Sequence, residues 1–212
     1  MADYTKMISW IKKWEGGLSK AKTDSASSYP VPDGSGYHTN KGVTWKSFEA
    51  LAPKLGYTAT PALFYKMPDD IWGRIFKVGY WDPINGDNIK SQAIAETLAD
   101  WAWGAGPGTA IKKLKEFLGL PSSYTMDAAT LAKVNAPAPN EKDFLKRLSD
   151  YKLKWYTSLP GQSANYSGWT NRLNDLYKTT LGKVGTGTIT GIFFLVAVGV
   201  VVWQWDNIKK LI

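Results

Sequence analysis

Apolar residues recur at intervals of three and four along nearly all of the first 180 positions, and strand-like alternation is sustained nowhere. That periodicity restricts the chain to a mainly α fold of short amphipathic helices. Tyr4–Trp14 places Met7, Ile8, Ile11 and Trp14 on one face, with Asp3 as N-cap and Gly16-Gly17 as the stop. Thr44 is suited to cap a second helix carrying Trp45, Phe48, Leu51 and Leu55. Asp69-Asp70 open a third, and Ser91 opens a fourth that ends at Gly104–Pro107. Thr109 and Asp127 are the expected caps of the next two. Phe144, Leu148, Tyr151 and Trp155 mark a long stripe, and Trp169, Leu173 and Leu176 a last one. The Gly/Ser/Pro-rich stretch 17–42 leaves room for a small β-hairpin, and a loop of that length usually carries function.

Chemistry is confined mainly to carboxylates. The chain has no cysteine and a single histidine, His38, so neither a disulfide framework nor a Cys/His metal site is expected, and no cofactor is implied. The net charge of +8 suits an anionic partner. Its lysines are scattered in pairs (Lys12-Lys13, Lys112-Lys113, Lys209-Lys210) instead of forming a stripe, which argues against nucleic acid. Core packing explains most of the eleven tryptophans, and the rest, about a third, offer flat faces for sugar rings in a cleft. Among the carboxylates Glu15 stands out. It lies beside the apolar face where the first helix must stop, and desolvation together with the helix dipole would favour its neutral, proton-donating form.

Glu15-Gly16-Gly17, then Asp24, then Thr39-Asn40-Lys41-Gly42-Val43-Thr44 resembles the N-terminal signature of glycoside hydrolase family 108, phage and bacterial peptidoglycan hydrolases. Tyr80-Trp81 and the small-residue helix Ala95–Gly106 continue the resemblance, and Leu114–Leu131 resembles the peptidoglycan-binding half that follows. The resemblance implies a lysozyme-like lobe over 1–106 and a helical wall-binding lobe over 107–182; nothing in the family accounts for the hydrophobic, membrane-seeking tail, 183–212. It also implies cleavage between N-acetylmuramic acid and N-acetylglucosamine, with Glu15 as acid, Asp24 stabilising charge or orienting water, and Thr39 holding that water. This chain carries SASSYPVPDGSGYH where the family has a short loop, so Asp33 competes with Asp24 for the second role; its Pro-Asp-Gly setting also reads as a simple turn. Tyr29, Tyr37, His38, Trp45 and Trp103 are candidates to line sugar subsites. Two readings stay open beside the muramidase: a lytic transglycosylase, and a wall-binding component of a phage-like particle without turnover.

Val184–Trp203 holds twenty residues without a charge, a length that matches the hydrocarbon core of a bilayer. Lys183 precedes it, and Trp203, Trp205, Lys209 and Lys210 follow as interfacial anchors would. A C-terminal transmembrane-type helix is therefore expected. No leader is apparent before the first helix, so an enzyme of the wall would need another route to it, such as a holin lesion, a virion or a contractile injection particle.

Overall fold

The computed structural model describes residues 1–19, 29–136 and 140–184. Its helices are α1 (Thr5–Trp14), α2 (Trp45–Leu51), α3 (Pro61–Tyr65), α4 (Asp69–Phe76), α5 (Gln92–Ala105), α6 (Pro107–Phe117), α7 (Ala128–Asn135), α8 (Glu141–Thr157) and α9 (Tyr166–Leu181). Capping chemistry explains most of their starts. The side chains of Thr44, Ser91 and Asp127 accept the N–H of Ser47, Ile94 and Thr130 respectively, each three residues ahead. Tyr4 already has helical dihedrals, so Asp3 caps α1 in effect, its Oδ1 accepting the Thr5 N–H at 2.9 Å. Thr109 is not a cap. Pro107, with its fixed φ, starts α6 two residues earlier, behind Gly106 at φ +81°. The sequence reading also passes over α3, which Thr60 caps and Pro61 begins.

The expected hairpin is a three-stranded antiparallel sheet, β1 (Leu18–Ser19), β2 (Thr39–Asn40) and β3 (Val43–Thr44), in the order β1-β2-β3. The third strand arises because Lys41 and Gly42 both take positive φ, +50° and +78°, and so make a tight turn whose twist suits flanking strands. Asn40 is buried and anchors the turn to α3, its amide donating to the Phe64 carbonyl at 2.6 Å. Lys41 anchors it to α4, with its ammonium 2.7 Å from Asp69 and its carbonyl accepting the Trp72 indole N–H at 2.9 Å. Lys12 of α1 also pairs with Asp69. These hydrogen bonds from two lysines hold the Asp69 carboxyl down at about 2.

Helix α5 lies at the centre. Every residue from Ala93 to Ala102 is buried, as expected of a helix surrounded by others, and it packs against α6, α8 and α9. One core runs from Ala2 through Trp72, Trp101 and Leu148 to Leu176.

The expectation of a membrane-spanning C-terminal helix is corrected. Among the described residues no helix is long and apolar enough to cross a membrane. Lys183, expected as a flanking anchor, instead pairs with the buried Glu96 of α5 at 2.6 Å. Val184, the expected first residue of the span, is buried beside Ala93 and Leu145. A buried carboxylate needs a cation, and α5 draws these two residues into the folded body to supply one. The rest of the stretch, 185–212, lies outside the described residues.

Candidate active site

Glu15 is the C-cap of α1. Its own N–H closes the helix on the Ile11 and Lys12 carbonyls, and its extended backbone (φ −95°, ψ +131°) turns the chain away toward β1. The side chain is largely enclosed. Oε1 accepts two hydrogen bonds, from the Trp103 indole N–H at 2.8 Å and from Arg172 Nη1 at 2.7 Å. Oε2 lies against Gly42 and has no donor among the described residues. To the apolar helix face expected beside Glu15 these surroundings add a guanidinium 157 residues away in the sequence.

Each partner is itself held. Trp103 sits in an aromatic box, with its ring centroid 5.6 Å from that of Trp72, 5.7 Å from Phe76 and 4.7 Å from Tyr80. Burial pushes the Tyr80 phenol up, the Ser47 hydroxyl opposes this in part, and the charge of Glu15 adds to it. Arg172 bridges two acids. Its Nε and Nη2 both lie 2.9 Å from Asp100 Oδ1, while Nη1 reaches Glu15. The other oxygen of Asp100 accepts from the fully buried Lys152 at 2.5 Å. Burial pushes the Asp100 carboxyl up, but Lys152 and Arg172 outweigh it and hold it below the usual carboxylate range. Burial pushes the Lys152 ammonium down, and Asp100 offsets part of that.

Gly42 decides how closely the β2–β3 turn approaches the acid. A Cβ built there would lie 2.3 Å from Glu15 Oε2 and 2.8 Å from the Trp103 ring, on a backbone at φ +78°. Gly42→Ala should therefore displace Glu15 or open the turn. The expected result is a loss of activity of about tenfold to a hundredfold, from misplacement on the order of 1 Å, with helix content unchanged by circular dichroism. An alanine variant of wild-type activity would show that the turn does not constrain the carboxyl.

The other sequence candidates are spread around this centre. Thr39 lies on β2, within the same sheet as the Gly42 turn. Asp24 lies outside the described residues. Asp33 occupies an exposed turn closed by the Val31–Gly36 bridge, and its oxygens are engaged. Oδ1 accepts from both the hydroxyl and the N–H of Ser35, and Oδ2 accepts from Tyr65 at 2.9 Å. The Ser35 bonds hold its carboxyl below the usual range, with Tyr65 adding to them. Tyr29 and Tyr37 are exposed. His38 is buried with its ring 6.0 Å from that of Tyr65. Trp45 is a core residue, packed at 5.7 Å against Phe48 and 5.4 Å against Phe64. Among the described residues no group of three or more His, Cys, Asp or Glu side chains is placed to hold a metal.

Arg172 and Asp100 escape the sequence reading. The signal available for Asp100 was an acid in mid-helix among buried alanines, which demands a cation. For Arg172 it was rarity, since Arg74, Arg147 and Arg172 are the only arginines among 26 basic residues.

An acid ending a helix, seated between an indole and a guanidinium beneath a tight β-turn, suits carboxylate chemistry on a sugar polymer. Residues 8–106, with Glu15 and Trp103 among them, match the family described as Glycosyl hydrolase 108. The chain is a glycoside hydrolase that acts on peptidoglycan. Among solved structures it is similar to SagA of Brucella abortus, at 24% identity and a TM-score of 0.66, over 85% of this chain and 94% of that one. That likeness shows a fold shared over most of the chain. No curated protein matches the chain.

Proposed function

We propose that the enzyme is a muramidase, cleaving between N-acetylmuramic acid and N-acetylglucosamine with Glu15 as general acid, and that it works at the cell wall. The observation that supports this is the division of labour within the Glu15 carboxyl. Oε1 is fixed by two donors, so the transferable proton belongs on Oε2, the oxygen beside the Gly42 turn. Protonation of the glycosidic oxygen from Oε2 lets the leaving sugar depart, and positive charge develops at the anomeric carbon. A second carboxylate then stabilises that charge or orients water. Asp33 has its oxygens committed to Ser35 and Tyr65, so in this reading Asp24 takes the role. Carboxyl separation decides the stereochemistry, about 6.5–9.5 Å for inversion against about 5–5.5 Å for retention.

The test is digestion of purified peptidoglycan by the full chain, with analysis of the new ends. Reducing-end muramic acid is the expected product. Anhydromuramic ends would replace the hydrolase with a transglycosylase, and reducing-end glucosamine would move the cleaved bond. In the same assay Asp24→Asn is expected to lose activity while Asp33→Asn keeps it; the opposite order would reassign the second carboxylate.

A further inference from the structure

The family match ends at residue 106, yet the tightest contact of the acid comes from residue 172. Helix α9 grips α1 at two levels. Asp175 accepts the indole N–H groups of Trp10 and Trp14, at 2.8 and 2.9 Å, and pairs with Lys13 at 3.1 Å. Arg172, three residues earlier on the same face, reaches past the helix end to Glu15, and its guanidinium lies 5.3 Å from the centre of the Trp10 ring. Behind Arg172 stands Asp100, pinned by Lys152, which also donates to the Thr97 carbonyl at 3.1 Å. Cation and anion thus alternate inward along one line, Glu15, Arg172, Asp100, Lys152.

We propose that Arg172 is a positioning residue for the catalytic acid. It fixes Oε1 so that Oε2 presents the proton, and it stabilises the carboxylate left when the proton departs. The inference rests on the reading of Glu15 as general acid. Two features demand arginine here. One guanidinium serves two carboxylates through different nitrogens, which the point charge of lysine does not reproduce. The site is also largely withdrawn from water, with 18% of the Arg172 side chain and 14% of Glu15 exposed, so the charge acts with little screening. Among the described residues the lysines of α1 and of the β2–β3 turn are already committed, Lys12 and Lys41 to Asp69 and Lys13 to Asp175, and the neutral Tyr80 hydroxyl donates to Ser47. Among the described residues Arg172 is therefore the cation that answers to Glu15.

The experiment compares wild type, Arg172→Lys and Arg172→Gln in the full chain, on soluble glycan fragments from peptidoglycan across pH, with Glu15→Gln as reference. For Arg172→Gln the expected result is a kcat lower by about tenfold to a hundredfold, a KM within about twofold, and an alkaline limb of the rate profile displaced to higher pH, because the acid has lost its stabilising cation. Arg172→Lys keeps a cation beside Asp100, so it should fold, and should recover part of the rate and of the displaced limb. Unaltered kcat and pH profile in both variants would overturn the proposal. So would an unfolded Arg172→Gln beside an Arg172→Lys of wild-type rate, since Arg172 would then serve only to neutralise Asp100. An active Glu15→Gln would instead remove the reading of Glu15, whatever the arginine variants did.

Discussion

Glu15→Gln is expected to lower the rate of glycan cleavage by about a hundredfold to ten-thousandfold, the range ascribed to a positioned general acid. The substitution is nearly isosteric. The glutamine carbonyl can still accept from Trp103 and Arg172, so the indole and guanidinium keep their places. What disappears is the acidic proton on Oε2, since an amide N–H is not transferred at neutral pH. Arg172 retains Asp100 as counter-charge, so no bare cation is left inside. The midpoint of thermal unfolding should therefore move by no more than about 4 °C, equivalent to roughly 1 kcal/mol in a protein of this size. Rate of fragment release and thermal midpoint, measured on one preparation, separate chemistry from folding. Release at the wild-type rate would refute the assignment of the acid.

Asp100→Asn should act in the opposite way, striking stability first. Asp100 is the only carboxylate on Lys152 among the described residues, and Lys152 is fully buried. Removal of one member of a buried pair leaves a desolvated charge and costs about 3–5 kcal/mol. At roughly 2–4 °C per kcal/mol, the midpoint should fall by about 6–20 °C. The native Asp100 carboxyl titrates below its ordinary value, so its contribution is complete above the ordinary carboxylate range and fades as pH falls through the lower native value. The deficit of the variant should therefore be full at neutral pH and shrink in strong acid. Pairing the substitution with Lys152→Met, which removes the stranded charge, should restore much of the loss. A neutral-pH deficit under about 1 kcal/mol for Asp100→Asn alone would show that the pair is not desolvated as its burial indicates.

The sequence conveyed local grammar well and long-range pairing poorly. Thr44, Ser91 and Asp127 were legible as caps because a cap needs only its own side chain and an N–H three residues away. Glu15 was legible because an amphipathic helix that stops at Gly-Gly places its last acid at a core edge. Thr109 misled because Pro107, two residues earlier, is the stronger helix start. Trp45 was read as a possible sugar platform, but the aromatic side chains of α2 and α3 meet in the core, and no local pattern announces that meeting. The Val184–Trp203 stretch was read by its length, its lack of charge and its flanking Lys and Trp residues. Its first residue is claimed by a core pocket, and Lys183 by a buried glutamate 87 positions away. Arg172 lies 157 positions from Glu15 and 72 from Asp100, separations that leave no periodic trace.

That 157-residue separation also bears on when the enzyme becomes competent. Closing so long a loop carries its entropic cost before any contact repays it, and such contacts tend to form late in folding. The helix bearing the acid is made 157 residues ahead of its cation. A nascent chain thus exposes the glutamate before its counter-charge exists, and under the role proposed for Arg172 catalytic readiness waits for the docking of α9.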